Sequence, residues 1–216
     1  MQHAKPLPSL FAQRYHGWKA TTHADNAAWY RRLANEGQRP KAMVIACCDS
    51  RVHVTSIFGA DSGEFFIHRN IANLVPPYEP DGAQHGTSAA IEFAVTALKV
   101  PHLMIVGHSK CGGVQGCLDM CSGKAPALEE TSSFVGRWMD LLRPGYERVK
   151  DTVPEDQQAP ALEKEAVLVS LENLMTFPFV REAVEARTLS LHGLWTEIGE
   201  GDLEYYDSIE RRFLPV

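Results

Sequence analysis

Three short apolar runs, "KAMVIACC", "EFFIH" and "HLMIVGH", limit what this chain can fold into. Each is shorter than a typical buried helix and rich in Val, Ile or Phe, so each reads as a buried strand. Between the second and third lies "GTSAAIEFAVTALKV", where Ala90, Phe93 and Ala97, and Ile91, Val95 and Leu98, recur at helical spacing. That segment reads as a helix with one broad buried face. A further helix follows the third run, through "CGGVQGCLDMC". Strand, helix and strand in this order call for a mostly parallel sheet covered by helices.

Residues 1–37 read as a polar helical arm, with "NAAWYRRLANEG" closing on a glycine stop. Residues 129–187 read as helical with breaks at Pro144, Pro154, Pro160 and Pro178, and Pro154 to Pro160 reads as a surface loop. The tail, "LSLHGLWTEI", "GEGD" and "LEYYD", reads as a hairpin. The expected fold class is α/β, with a mostly parallel central sheet and flanking helices. An N-terminal helical arm and an antiparallel C-terminal edge hairpin complete a single domain over residues 1–216.

A chain of 216 residues, 44% hydrophobic and 22% charged, can bury a sizeable core as one domain. Its net charge of −6 weighs against a nucleic-acid partner, because phosphate binding needs a basic field. No apolar run approaches the length of a membrane span. The first residues lack the charged start, apolar stretch and cleavage site of an export signal. The expectation is a cytoplasmic protein with no membrane contact. Five cysteines, Cys47, Cys48, Cys111, Cys117 and Cys121, are an odd number without an export signal. Metal or reactive-thiol chemistry fits them better than a disulfide framework.

Two stretches that each follow a strand carry the chemistry. In "GHSKCGG", His108 and Cys111 are three apart and suit one zinc ion from a single turn. Cys111 would open a helix, whose positive end favours a thiolate. In "ACCDSR", Cys47 or Cys48 would add a third ligand, leaving the open fourth position of a catalytic zinc site. If the chain stays extended there, Cys47, Asp49 and Arg51 share one face, while Cys48 and Ser50 share the other. That alternation selects Cys47. Asp49 would accept a hydrogen bond at the metal, and Arg51 would hold Asp49 ionised. Cys48, Cys117 and Cys121 read as small packed side chains. His85 reads as a surface or capping residue, and the acidic run over 197–210 as a solvated edge.

Together, "ACCDSR" and "GHSKCGG" resemble the signatures of the β-class carbonic anhydrases, Cys-x-Asp-Ser-Arg and His-x-x-Cys-Gly-Gly. "HRNIANLVPPYEPDG", "GTSAAIEFAV", "NLMTFPFVRE" and the "LHGLW" to "LEYYD" ending are similar to that family as well. The resemblance implies that Cys47, His108 and Cys111 bind Zn2+ and that Asp49 and Arg51 form a catalytic dyad. It implies a substrate-orienting role for Gln38, apolar pocket walls at Phe66 and Ile71, and a backbone position beside the metal at Gly112. Phe93 stands where plant-like members carry a pocket tyrosine. Val44 stands where another branch carries the tryptophan of an inhibitory bicarbonate site, which places the chain in the plant-like branch. The implied reaction is hydration of carbon dioxide to bicarbonate by a homodimer or higher oligomer whose pocket is completed across the dimer interface. The rival readings are a carbon disulfide or carbonyl sulfide hydrolase on the same scaffold, and a non-catalytic zinc protein.

Overall fold

The computed structural model describes residues 3–82, 85–130 and 133–216. The helical readings over 1–37 and 129–187 therefore include four residues, 1, 2, 131 and 132, outside the described ones. The chain divides into two units, residues 1–38 and 39–216. The first holds α1 (Ser9–Ala20), α2 (Thr22–Asp25) and α3 (Ala27–Glu36). α3 stops where expected, at Gly37 with φ of +73°, a conformation that glycine adopts without a Cβ clash. Trp18 and Tyr30 meet edge to face at 5.9 Å and tie α1 to α3.

The second unit runs β1 (Ala42–Cys47), α4 (Val54–Ile57), β2 (Phe65–Asn70), α5 (His85–Glu92), β3 (His102–His108) and α6 (Gly112–Cys121). It continues through α7 (Phe134–Met139), α8 (Arg143–Val149), α9 (Glu155–Leu174) and α10 (Pro178–Glu185). It ends in β4 (Ser190–Thr196), β5 (Leu203–Asp207) and β6 (Arg212–Pro215). The strands form one sheet in the order β2-β1-β3-β4-β5-β6. β2, β1, β3 and β4 pair in parallel, while β5 and β6 are antiparallel additions at one edge. The expected fold class is the observed one. β6 is a third tail strand that the expected hairpin did not include.

β1 is buried along all six residues, as a central parallel strand covered on both faces must be. Met43 and Ile45 pack with Leu103, Ile105, Val167 and Phe177 on one face. Val44 and Ala46 pack with Val106 and Leu194 on the other. α5 does not run straight to Val100: it widens into a π-turn over Phe93–Ala97, closed by the Leu98 N–H on the Phe93 carbonyl at 3.0 Å. Among the described residues no helix is long and apolar enough to cross a membrane.

The proline reading needs correction at one end. Pro144 and Pro178 lie in the first turns of α8 and α10, and Pro154 precedes α9, where the missing N–H costs nothing. Pro160, however, lies inside α9, so residues 154–160 are not a loop. As the sixth helical residue it forfeits one bond near the helix start. The buried stripe of Leu162, Ala166, Val169 and Leu174 holds the helix regardless.

Candidate metal centre

β1 and β3 are neighbours, but the chain leaves them toward opposite edges of the sheet, β2 beside β1 and β4 beside β3. Such a switch opens a crevice at the carboxyl ends of the two strands. Cys47 ends β1, His108 ends β3, and Cys111 caps α6 after a left-handed turn at Lys110. Their ligand atoms lie within 4.8 Å of one another, and all three residues are buried. The Cys47 and Cys111 sulfurs are 3.9 Å apart. Two zinc–sulfur bonds of about 2.3 Å at a tetrahedral angle would set them about 3.8 Å apart. His108 Nδ1 donates to the Ser109 carbonyl at 2.8 Å, while Nε2 is buried and has no hydrogen-bond partner. A ring fixed through one nitrogen with the other buried and unpaired fits a metal-binding imidazole. The donor set therefore fits zinc.

The sulfurs act as a pair. Sharing a hydrogen bond, they draw the Cys47 thiol down and push Cys111 up. The Ala72 N–H also points at the Cys47 sulfur, at 3.4 Å. Burial works against a charged His108, yet the nearby Cys47 sulfur and the Ser109 carbonyl that accepts from Nδ1 lift it above its usual value.

Asp49 and Arg51 sit beside this trio. Arg51 Nε donates to Asp49 Oδ1 at 2.9 Å, and Nη2 donates to Oδ2 at 2.6 Å. The Arg51 backbone N–H adds a third bond to Oδ1 at 2.9 Å. These bonds hold the Asp49 carboxyl well below the usual carboxylate range. Arg51 Nη2 also donates to the Lys110 carbonyl at 3.0 Å, tying the two ligand loops together.

The carbonic anhydrase family pattern matches residues 42–203. A β carbonic anhydrase of Arabidopsis thaliana, beta carbonic anhydrase 3, is 37% identical over 88% of this chain and 73% of its own length. The chain belongs to the β-class carbonic anhydrases. The solved structure of the β-carbonic anhydrase CcaA superposes with a TM-score of 0.85 at 27% identity, over 97% of this chain and 93% of that one. One of two tetrameric β-carbonic anhydrases from Sordaria macrospora gives 0.77 at 30% identity, over 91% and 94%.

The extended-strand premise behind the choice of Cys47 does not hold in this carbonic anhydrase. β1 ends at Cys47, and Asp49 and Arg51 lie in a turn closed by the Val52 N–H on the Asp49 carbonyl at 3.1 Å. The turn, not strand alternation, brings the dyad together. Cys48 is exposed rather than packed inside. Its N–H donates to the Asn70 carbonyl at 2.7 Å, after which the chain leaves the sheet. Cys117 is buried and Cys121 half-buried, as expected of packed thiols.

Several supporting groups went unread in the sequence. Arg69 on β2 donates to the carbonyls of Cys47, Asp49 and Val52 at 2.7–2.8 Å, clamping the "CCDSRV" turn. Its one signal was a charge inside a strand, in "FFIHRN". Glu163 on α9 is buried and accepts the Cys111 N–H at 3.3 Å. Burial pushes its carboxyl up, against the pull of the Cys111 and Lys110 N–H groups. Glu197, read as part of a solvated edge, accepts the Ser109 hydroxyl at 3.0 Å behind His108.

The pocket residues spread out. Gly112 follows Cys111 directly as the first residue of α6. Ile71 is exposed and lines a cavity of about 340 Å³ with Cys48, His68, Thr87, His85 and Trp138. Phe66 and Phe93 pack on each other at 5.8 Å between ring centres. Phe66 lies four residues before the end of β2, about 13 Å back from the carboxyl edge. Gln38 is an exposed residue that closes the first unit.

Proposed function

We propose that this carbonic anhydrase binds one Zn2+ through Cys47, His108 and Cys111 and interconverts carbon dioxide and bicarbonate. The observation that carries the reading is the Asp49–Arg51 pair, clamped by three hydrogen bonds next to a buried three-ligand set. A site that bound zinc only for structure would have no use for that pair. When bound, zinc supplies the Lewis acidity that makes a nucleophile of water near neutral pH.

The chain's own groups do the rest. Asp49, held ionised, is a fixed acceptor that orients the O–H of the attacking water. It does not carry a proton at neutral pH, because its carboxyl stays well below the usual range. Arg51 fixes both oxygens of Asp49 and so sets the direction of that bond. Ile71 walls one side of the pocket. Phe66, set back from the end of β2, and Phe93, packed on it, would serve the pocket of a second copy across a dimer interface. Gln38 would orient the substrate. Homo-oligomeric assembly is supported by the tetrameric Sordaria macrospora relative.

The test is stopped-flow hydration of carbon dioxide by zinc-loaded protein, with carbon disulfide offered in parallel. Turnover of carbon dioxide is expected. Turnover of carbon disulfide alone, or of neither at full zinc loading, contradicts the proposal.

A further inference from the structure

β3, which carries His108 at its carboxyl end, brings a second histidine near its start together with one from the neighbouring β4. His102 opens β3, and His192 is the third residue of β4. The parallel ladder sets His102 against Ser190 and Met104 against His192. The two histidines are therefore two residues out of step and leave the sheet on the same face. Their rings meet, with His102 Nδ1 and His192 Nε2 3.1 Å apart and the planes tilted by 54°.

We propose that His102 and His192 form a two-nitrogen site for a divalent transition cation of the Ni2+, Cu2+ or Zn2+ kind, separate from the catalytic trio.

The spacing is the bite such an ion requires. Two metal–nitrogen bonds of about 2.0–2.1 Å, at an angle between about 90° and 110°, place the nitrogens about 2.8–3.4 Å apart. Imidazole is a favoured ligand for all three ions, and either ring nitrogen can serve. The anchor is rigid, because seven successive residue pairs join β3 to β4. Little ordering is left to do on binding. His192 is half-buried and keeps its lone pair, since burial and the facing His102 ring push it below its ordinary value. His102 is exposed, which gives an ion access and room for waters to complete its shell. His102 and His108 stand at opposite ends of the seven-residue β3, about 20 Å apart. No ligand can be shared with the catalytic trio.

The same 3.1 Å spacing also suits one N–H···N hydrogen bond between neutral rings, and ion uptake separates the two uses. Protein loaded with zinc at the trio is dialysed against graded Ni2+ and its metal content measured. The parent is compared with His102→Gln and His192→Gln, and zinc content and thermal midpoint are followed in each. One Ni2+ per chain beyond the zinc is expected for the parent. In each variant its affinity falls by about tenfold or more, as a chelate loses one arm, while zinc content and midpoint stay put. No tight Ni2+ on the parent, or an unchanged affinity in either variant, overturns the proposal. The zinc reading is measured separately in the same samples, so failure of one does not mimic failure of the other.

Discussion

Cys47 and Cys48 are neighbours with opposite surroundings. Cys47 is buried between the Cys111 sulfur and the Ala72 N–H, whereas Cys48 faces solvent. Cys48→Ser is therefore expected to keep zinc and turnover, with stability changed by no more than about 0.5 kcal/mol. Cys47→Ser is expected to be metal-poor and inactive; the reverse pattern in zinc analysis would contradict the ligand set. Sequence pattern pointed to Cys47, but for a reason that does not operate: a strand buried on both faces ends there, and a turn assembles the dyad. A two-residue period carries no information past the last ladder bond. Hydrogen bonds from Arg51 depress the Asp49 carboxyl, so it is charged at every pH above about 4 and loses charge only as pH falls through its lowered value. A rise of rate through neutrality cannot then be Asp49 titrating. Arg51→Ala lets Asp49 return toward its ordinary value, still ionised at neutrality. The pH–rate plateau should drop while its midpoint stays within about one unit. A larger shift would make Asp49 the titrating group.

Among the elements, the start of α6 is tightly packed at one glycine and open at the next. A Cβ on Gly113 would lie 2.6 Å from Ile71 Cγ2 and 3.1 Å from the Ala72 Cβ, whereas one on Gly112 would meet nothing within 4 Å. Ala72 and Asn73 already hold left-handed conformations, with φ of +60° and +50°, so that turn has little room to give. Gly113→Ala is expected to cost about 1–3 kcal/mol and lower the thermal midpoint of zinc-loaded protein. Gly112→Ala should leave it nearly unchanged, and equal midpoints for the two variants would refute the close approach. The signature glycines were legible as a motif, but which one the packing needs depends on Ile71 and Ala72, some 40 residues earlier in the sequence. Arg69 was hidden likewise, because its three carbonyl partners become neighbours only when β2 pairs with β1. The helix through Pro160 shows the same limit from the other side: tertiary burial overrode a local breaker.

For the whole molecule, the parallel order of the sheet followed from apolar runs alternating with helical periodicity, and it placed both ligand stretches at strand ends. The third tail strand was too short and polar to read from "RRFLPV". What one chain leaves open is the pocket: Phe66 and Phe93 lie away from the trio, β2 is an edge strand, and Ile67 and Phe93 are 40% and 47% exposed. Light scattering is expected to return at least twice the chain mass at micromolar concentration, and a monomer with full activity would rule out a pocket shared between copies. The reaction itself stands or falls on Asp49. Zinc content and carbon dioxide hydration should be measured on the same preparation of Asp49→Asn. About one zinc per chain with hydration slowed about a hundredfold or more is the expected result. Near-native hydration at full zinc loading would contradict the assignment of the dyad to catalysis.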